Sequence, residues 1–508
     1  MKKIFIAVLI GVLVGWGYFI FMDRTLRIGL IPLDSRPSNT QYPVLLAQMA
    51  NAEIALPEKN LDNFLTPANT EALWYWLEDN AKKFDTIIIN TNELLNGGLI
   101  NSRHPESYEN IDADLKRLED FCAKNKKKNI ILISILPRLL PSQFIQLWDY
   151  RDELVGYAQE ADKKLLHGAG KPTPPARIPK EIVNQYLQIY SNSEVIVRGS
   201  ISLVEKGLVD HYIIGQDDAE EYGLSNSIVR EIKPKLAENI RFIHGADELT
   251  MMAVMKTLTK KQPPNLRILY TNYELADDYY AFEAAPLKEV LITKLDYLNL
   301  ITNDNSPRLI IVYTDNTNSD FMEGKIQTQD YSYLGIMDIA YTNKGDAELL
   351  DFFLNKDNKI NGYSGWNTAG NTIGTEFSHY IAYQNLEQNS KKFKKRQQKQ
   401  ALEAYIKFQY IRYAEDLIYQ GILRDQLNEK LAAQNLDPNQ LGEAQEKGEA
   451  ILRELYQPYQ KKLKDYFLGS YKIGEIEFTV DAVDSTIELP WARTFEARVE
   501  PEVIISIN

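Results

Sequence analysis

From Leu26 onward, short apolar runs bounded by polar clusters alternate with longer segments whose apolar residues recur at helical spacing. That alternation predicts an α/β fold of mostly parallel strands separated by helices, arranged as Rossmann-like lobes or, alternatively, as a barrel. The expected strands are Leu26–Leu33, Glu53–Leu56, Thr86–Asn90, Asn129–Leu136, Val209–Gly215, Ile240–His244, Leu266–Thr271, Leu309–Thr314 and Ile336–Ala340. A Pro-rich stretch between two of them, Lys171–Pro179, reads as a surface excursion. After Tyr383 the pattern changes. Gln400–Phe467 is rich in Ala, Leu, Glu, Gln and Lys at helical periodicity, which predicts two or three long helices. Tyr471–Asn508 alternates apolar and polar residues, as in Ile476-Glu477-Phe478-Thr479-Val480, and predicts a small β unit.

The N-terminus follows a different rule. Lys2 and Lys3 precede an apolar run of nineteen positions, Ile4–Met22, long enough to span a bilayer as a helix. No small-residue cleavage site follows it, so a signal anchor is expected in place of a cleaved peptide. The two lysines place the short end in the cytoplasm and the body outside it. The expected organisation is a membrane anchor over 1–24, an α/β body over 25–385, a helical segment over 386–468 and a β unit over 469–508 that packs on the body.

Several expected strands run directly into carboxylates, amides or arginines. Leu33-Asp34-Ser35-Arg36-Pro37 follows the first, Asn90-Thr91-Asn92-Glu93 the third and Leu136-Pro137-Arg138 the fourth. Gly215-Gln216-Asp217-Asp218 and His244-Gly245-Ala246-Asp247-Glu248 follow later ones. In parallel α/β sheets the ligand crevice lies beyond the carboxyl ends of the strands, so these clusters are expected to meet. An Asp or Asn after a strand is also an ordinary helix cap or turn former, and Asp247-Glu248 can simply seed the helix after them. Arg36, Arg103 and Arg138 have no such role.

The Gly-rich segment Gly362–Gly374 holds Tyr363, Trp366, Asn367 and Asn371. Such a mixture suits a sugar, which stacks its apolar face on an aromatic ring and bonds its hydroxyls to amides and acids. The alternative is a buried Trp over a helix start. With a sugar present, Asp34, Asp217, Asp218, Asp247 and Glu248 become candidate acids for hydrolysis, one of them raised in pKa by a neighbour. Arg36, Arg103 and Arg138 then orient ligand or pair with the acids, and Trp366, Asn367 and Asn371 form the ligand face. The expected activity is thus an extracytoplasmic, membrane-anchored hydrolase of a carbohydrate-containing substrate. A non-catalytic glycan receptor is one alternative. Another is a metal-dependent hydrolase that holds Mg²⁺ or Ca²⁺ among Asp217, Asp218 and Asp247.

Composition removes other classes. Lys+Arg 57 against Asp+Glu 70 gives a net charge of -13, which disfavours nucleic acid as a partner. One Cys and five His leave no Cys/His zinc cluster and no internal disulfide. No phosphate-loop, dinucleotide or Ser-elbow string occurs. The basic run Lys391–Lys399 reads as a solvated helix face, with anionic lipid or polymer as the other reading.

The strings Ile31-Pro32-Leu33-Asp34-Ser35-Arg36-Pro37, Gly97-Gly98-Leu99-Ile100-Asn101-Ser102-Arg103, Gln216-Asp217-Asp218 with Tyr222-Gly223, Gly245-Ala246-Asp247-Glu248, Gly365-Trp366-Asn367-Thr368-Ala369-Gly370-Asn371 and Leu489-Pro490-Trp491-Ala492-Arg493-Thr494-Phe495-Glu496 form an ordered set. Over about Leu26–Asn508 it resembles the bacterial domain-of-unknown-function family 4127. The resemblance implies that these positions matter and implies no reaction. Arg412, Asp416, Tyr419 and Gln420 share one face of an expected helix, and that face is expected to close over the crevice.

Overall fold

The computed structural model describes residues 25–170, 172–259, 264–328 and 331–507. The anchor expected over 1–24 lies outside the described residues. Among those described, no helix is long and apolar enough to cross a membrane.

Six parallel strands make the first sheet: β1 (Leu26–Ile31), β2 (Ala52–Ala55), β3 (Thr86–Asn90), β4 (Asn129–Leu136), β5 (His211–Gln216) and β6 (Ile240–His244), in the order β2-β1-β3-β4-β5-β6. Helices cover both faces, so the central strands are apolar on both sides. Ile87, Ile88, Ile89, Ile130, Leu132 and Ile133 are all fully buried. Register pairs Ile28 with Thr86, Thr86 with Asn129 and Ile131 with His211. Gly29 in β1 is required by packing, because a Cβ there would enter the ring of Phe84.

A second sheet, also all parallel, is built from β7 (Asn265–Tyr270), β8 (Ile301–Thr302), β9 (Arg308–Tyr313), β10 (Tyr333–Asp338) and β11 (Gly362–Ser364). Its order, β11-β10-β9-β7-β8, repeats the winding of the first sheet. In each, the second strand lies outside the first and the third crosses to the other side, the doubly wound 2-1-3-4-5 pattern. Both sheets are open, so the lobed arrangement holds and the barrel does not. The strand expected at Ile336–Ala340 begins earlier, at Tyr333, and ends at Asp338. Two strands carry no clear sequence signal: β8 is two residues long, and β11 lies within the Gly-rich segment. At Gly362 a Cβ would collide with Tyr333 and Glu376.

The helix Ala369–Asn389 ties the sheets together, since it packs on β10 and β11 and also on the helix Leu249–Leu258 that follows β6. One hydrophobic core runs through both lobes as a result. The segment after it is helical as expected: Lys395–Ile411 continues into a π-helix, Arg412–Leu423, and then Arg424–Ala432, before Gln445–Phe467. An antiparallel sheet of β12 (Gly469–Ile473), β13 (Ile476–Glu488) and β14 (Arg498–Ile507) closes the chain. The connection from β13 to β14 carries Trp491 back to the first sheet, where its Nε1 donates to Ser35 Oγ at 2.8 Å.

Candidate functional site

The strand order of the first sheet reverses between β1 and β3, and ligand crevices of doubly wound sheets form at such a switch point. The loop leaving β1 supplies Asp34, which is fully buried. Its Oδ1 accepts the Arg36 backbone N–H at 3.0 Å and Asn39 Nδ2 at 3.2 Å, a turn that aims the Arg36 side chain across the sheet. That guanidinium holds two carboxylates. Nη2 lies 2.6 Å from Asp34 Oδ2 and 2.5 Å from Asp247 Oδ1, while Nη1 lies 3.2 Å from Asp247 Oδ2. The Trp491 ring covers its other side, with the centroid 5.1 Å away.

Burial alone would make Arg36 easier to deprotonate, but Asp247 and Asp34 outweigh it and hold the group firmly cationic. Asp247 responds oppositely. Burial first, then Asp34 and Asp217, push its carboxyl up to about 7 against the pull of Arg36. Its carboxyl therefore titrates near neutrality, chiefly because it is buried.

Asp217 and Asp218 follow β5. Asp217 is paired with Arg103, Nη2 to Oδ2 at 2.5 Å. Asp218 faces Arg138 at 3.7 Å and keeps 32% of its side chain exposed. Burial, then Asp217, raises Asp218 to about 6, and the solvent that reaches it tempers the burial part of that rise. Arg138 is lowered to about 10 by burial and then by Arg103, and its Nε and Nη2 donate to the carbonyls of Leu140 and Pro141. The crevice therefore alternates in charge: Asp247 meets Arg36, Asp217 meets Arg103, and Asp218 meets Arg138.

Other expected site residues are committed to further partners, although Trp366 also edges the pocket beside Arg36. Glu248 turns away from Asp247 into the core, where it pairs with the fully buried Lys294 at 2.8 Å and accepts Asn371 Nδ2 at 2.6 Å. Gly374 leaves room for it, because a Cβ there would meet the Glu248 stem. Asn371 completes a capping box with Thr368 at the start of Ala369–Asn389, so its side chain is committed to the helix. Trp366 is buried as well, with Nε1 on Thr375 Oγ1 at 3.0 Å and its ring edge-on to Tyr42. Asn367 does reach the crevice. It adopts a left-handed backbone (φ 55) and sends Nδ2 to Asn371 Oδ1 at 2.7 Å and toward Asp247 Oδ2 at 3.4 Å.

Three acids at the site escaped the sequence reading. Asp62 Oδ1 accepts the Ser35 N–H at 2.7 Å, and Glu93 Oε1 accepts the Asp62 N–H at 3.0 Å. Burial and then Asp34 raise Asp62 to about 8; burial and then Asp62 raise Glu93 well above the carboxylate range. Asp62 sits in no motif. Glu93 stands in the polar cluster after β3, and that position was the available signal. The third is Glu415, on the π-helix face that closes over the crevice. Arg412, Asp416, Tyr419 and Gln420 on that segment are all buried. Arg412 stacks on Tyr42 at 4.0 Å and pairs with Asp416 at 3.0 Å; Tyr419 and Gln420 bond the carbonyls of Thr494 and Phe495.

Between this face, Arg36 and Asn367 lies a narrow pocket with about 20 Å³ of space that a water can occupy, room for about one water. Among the described residues no group of three or more His, Cys, Asp or Glu is arranged to hold a metal ion. The three acids expected to share a cation, Asp217, Asp218 and Asp247, each face a guanidinium instead.

Two like-wound parallel sheets, a charged crevice at the first switch point and a C-terminal segment folded back over it define a two-lobed, doubly wound α/β protein. Residues 28–500 match the family described as "Protein of unknown function (DUF4127)", and the chain belongs to that family. No curated protein and no solved structure matches it.

Proposed function

We propose that the protein is a membrane-anchored, extracytoplasmic hydrolase that acts on a carbohydrate-containing substrate at the strand-end crevice. The observation that carries this reading is Arg36 clasping Asp34 and Asp247 at the wall of a pocket. In the proposed reaction Asp247, near-neutral, gives its proton to the leaving oxygen, and Arg36 stabilises the carboxylate that remains. Asp218 is the second acid that titrates near neutrality and the more exposed of the two, which suits it to handle water. Attachment to a membrane is supported by the surface near the first described residues. Gln397 Nε2 donates to Thr25 Oγ1 at 2.9 Å, and Lys392, Lys395 and Arg396, close to it in sequence, are exposed, a basic surface suited to anionic lipid.

The test is a screen of glycosides and sugar esters on the full chain, with and without divalent metal, repeated on Asp247→Asn. Turnover is expected in the wild type, independent of metal, and reduced roughly 10²–10⁴-fold in the variant. Turnover retained in the variant removes Asp247 from the chemistry. A second reading, a glycan receptor without turnover, is favoured by the arginine partner that each crevice acid has. It predicts saturable sugar binding and no hydrolysis in either protein.

A further inference from the structure

In a parallel sheet the amino ends of all strands lie on one side, and in the first sheet that side is where the apolar N-terminal run arrives. Leu26 opens β1, and in sequence only Asp23, Arg24 and Thr25 separate it from Met22. Three residues reach at most about 11 Å, so a bilayer that holds residues 4–22 lies against the amino end of β1 and of its neighbours.

The turns that lead into β3 and β4 form one surface with that point. Asp85 donates its N–H to the Arg27 carbonyl at 2.8 Å and accepts the Arg27 N–H on Oδ2 at 3.0 Å. Asn129 donates its N–H to the Asp85 carbonyl at 3.3 Å, and Lys128 Nζ bonds the carbonyls of Lys82 at 3.2 Å and Phe84 at 2.5 Å. Neighbouring strands lie about 4.8 Å apart, so β4 begins within about 10 Å of β1. This surface is basic although the chain carries a net charge of -13. Residues 81–86 and 124–128 hold six lysines and one acid, Asp85, whose carboxylate is bonded to the Arg27 N–H. Glu53, the acid beside β1, is paired with Arg27 at 3.5 Å. Lys82, Lys83, Lys124, Lys126 and Lys127 are all exposed, and among the described residues none of them pairs with a carboxylate. A solvated rim normally intersperses both signs. Unpaired lysines around the exit of a membrane anchor match an anionic headgroup layer, whose attraction falls off within a Debye length.

We propose that the amino-end rim of the first sheet lies on the bilayer, with Lys82, Lys83, Lys126 and Lys127 on anionic lipid headgroups. The proposal rests on the membrane-anchored reading and deepens it by fixing the orientation of the site. The crevice at the carboxyl ends of the same strands then stands about 17–26 Å farther from the lipid, the length of five to eight strand residues. Substrate is therefore met away from the membrane surface.

The full chain, reconstituted into vesicles that carry a headgroup-attached fluorescence quencher, tests this. Cys122 is buried, so a single introduced cysteine takes the fluorescent label. One label sits at Lys124→Cys on the rim. The other sits at Glu221→Cys, exposed beyond the carboxyl end of β5, where the Glu221 carbonyl accepts Asn226 Nδ2 at 2.7 Å. In phosphatidylglycerol vesicles at low salt the first label is expected to be quenched roughly 3-fold more than the second. The excess should fall roughly 2-fold at high salt, in phosphatidylcholine vesicles and in the triple variant Lys82→Ser, Lys126→Ser, Lys127→Ser, with Tm unchanged. Equal quenching of the two labels overturns the proposal and leaves the anchor standing. An excess that salt, lipid charge and the triple variant all fail to alter overturns it too, because the tether alone then holds the face. A chain that does not float with the vesicles removes the anchor, and the proposal with it.

Discussion

The two sheets are wound alike but treat their acids differently. In the first, Asp34, Asp217, Asp218 and Asp247 stand at strand ends against arginines. In the second, Asp338 ends β10 and Glu376 lies beneath it, both fully buried and both served by tyrosines in place of cations. Tyr363 Oη donates to Asp338 Oδ2 at 2.8 Å, and Tyr333 Oη to Glu376 Oε1 at 2.6 Å. Burial raises Asp338 to about 7 and Glu376 to about 8. Both lobes therefore bury acids and raise them alike, with Asp247 and Asp338 each near 7, and what differs is the partner, a guanidinium in the first and a tyrosine hydroxyl in the second. The switch point of the second sheet makes the same point: its β7 and β9 ends meet through Thr271 and Thr314, Oγ1 to Oγ1 at 3.0 Å, with no arginine among them.

The sharpest way to break this contrast is to remove the cation. Arg36→Met leaves Asp34 and Asp247 buried together without a counter-ion, and loss of one partner from a buried pair costs about 3–5 kcal/mol. Urea unfolding should show that loss. A variant as stable as the wild type would mean that the buried pair Asp34 and Asp247 does not depend on the guanidinium, and the difference between the lobes would vanish.

A smaller effect follows from the raised acids. Asp247, Asp338, Asp62 and Glu376 hold protons in the folded chain up to about 7 or 8, whereas in the unfolded chain they release them near 4. Between these values the folded state binds more protons than the unfolded state. Stability is therefore lost as pH rises through the folded values, by up to about 1.4 kcal/mol per pH unit for each group still protonated. Tm should fall from pH 6 to pH 8.5. A Tm that climbs over that interval contradicts the raised values.

Anionic vesicles probe the surface where the described chain begins. Replacing Lys392, Lys395 and Arg396 by Ser should weaken binding of the full chain to phosphatidylglycerol vesicles by about 1 kcal/mol per residue at low salt and less at high salt. Equal binding by the variant at both salt concentrations would assign all the affinity to the apolar N-terminal run.

Legibility in the sequence followed chain distance. The strands of the first sheet, and Asp34, Arg36, Asp217 and Asp247, were visible because each belongs to a continuous string that starts at a strand end, and Arg103 because it closes the Gly97–Arg103 string after the next helix. Asp62 was hidden because its partner, the Ser35 N–H, lies 27 residues away and no periodic pattern surrounds it. Glu248 misled for the opposite reason. It adjoins Asp247 in the chain, but Asp247 closes the loop after β6 and Glu248 already enters the following helix, so the two side chains part. Trp366 likewise combined an aromatic with glycines that serve packing, and only one face of the segment reaches the pocket. The π-helix carries no sequence mark, so the pairing of Glu415 with Gln420 was legible only in three dimensions.

The smallest expected effect is the most discriminating. Glu376→Gln replaces a carboxyl that is already neutral at pH 6 by an amide of the same shape, and Tyr333 can still donate to its oxygen. The cost should stay under about 1 kcal/mol, near that of an ordinary hydrogen-bond adjustment. The same change at Asp247 removes a partner of Arg36, and Asp247→Asn should lose less stability at pH 8, where ionisation of the buried Asp247 already costs the wild type, than at pH 6, where it is mostly protonated. For Glu376→Gln the order of the two pH values is preserved but the loss is nearly absent, because no cation faces the group and ionisation is what the fold resists. Equal pH dependence in the two variants would show that Arg36 does not distinguish the lobes.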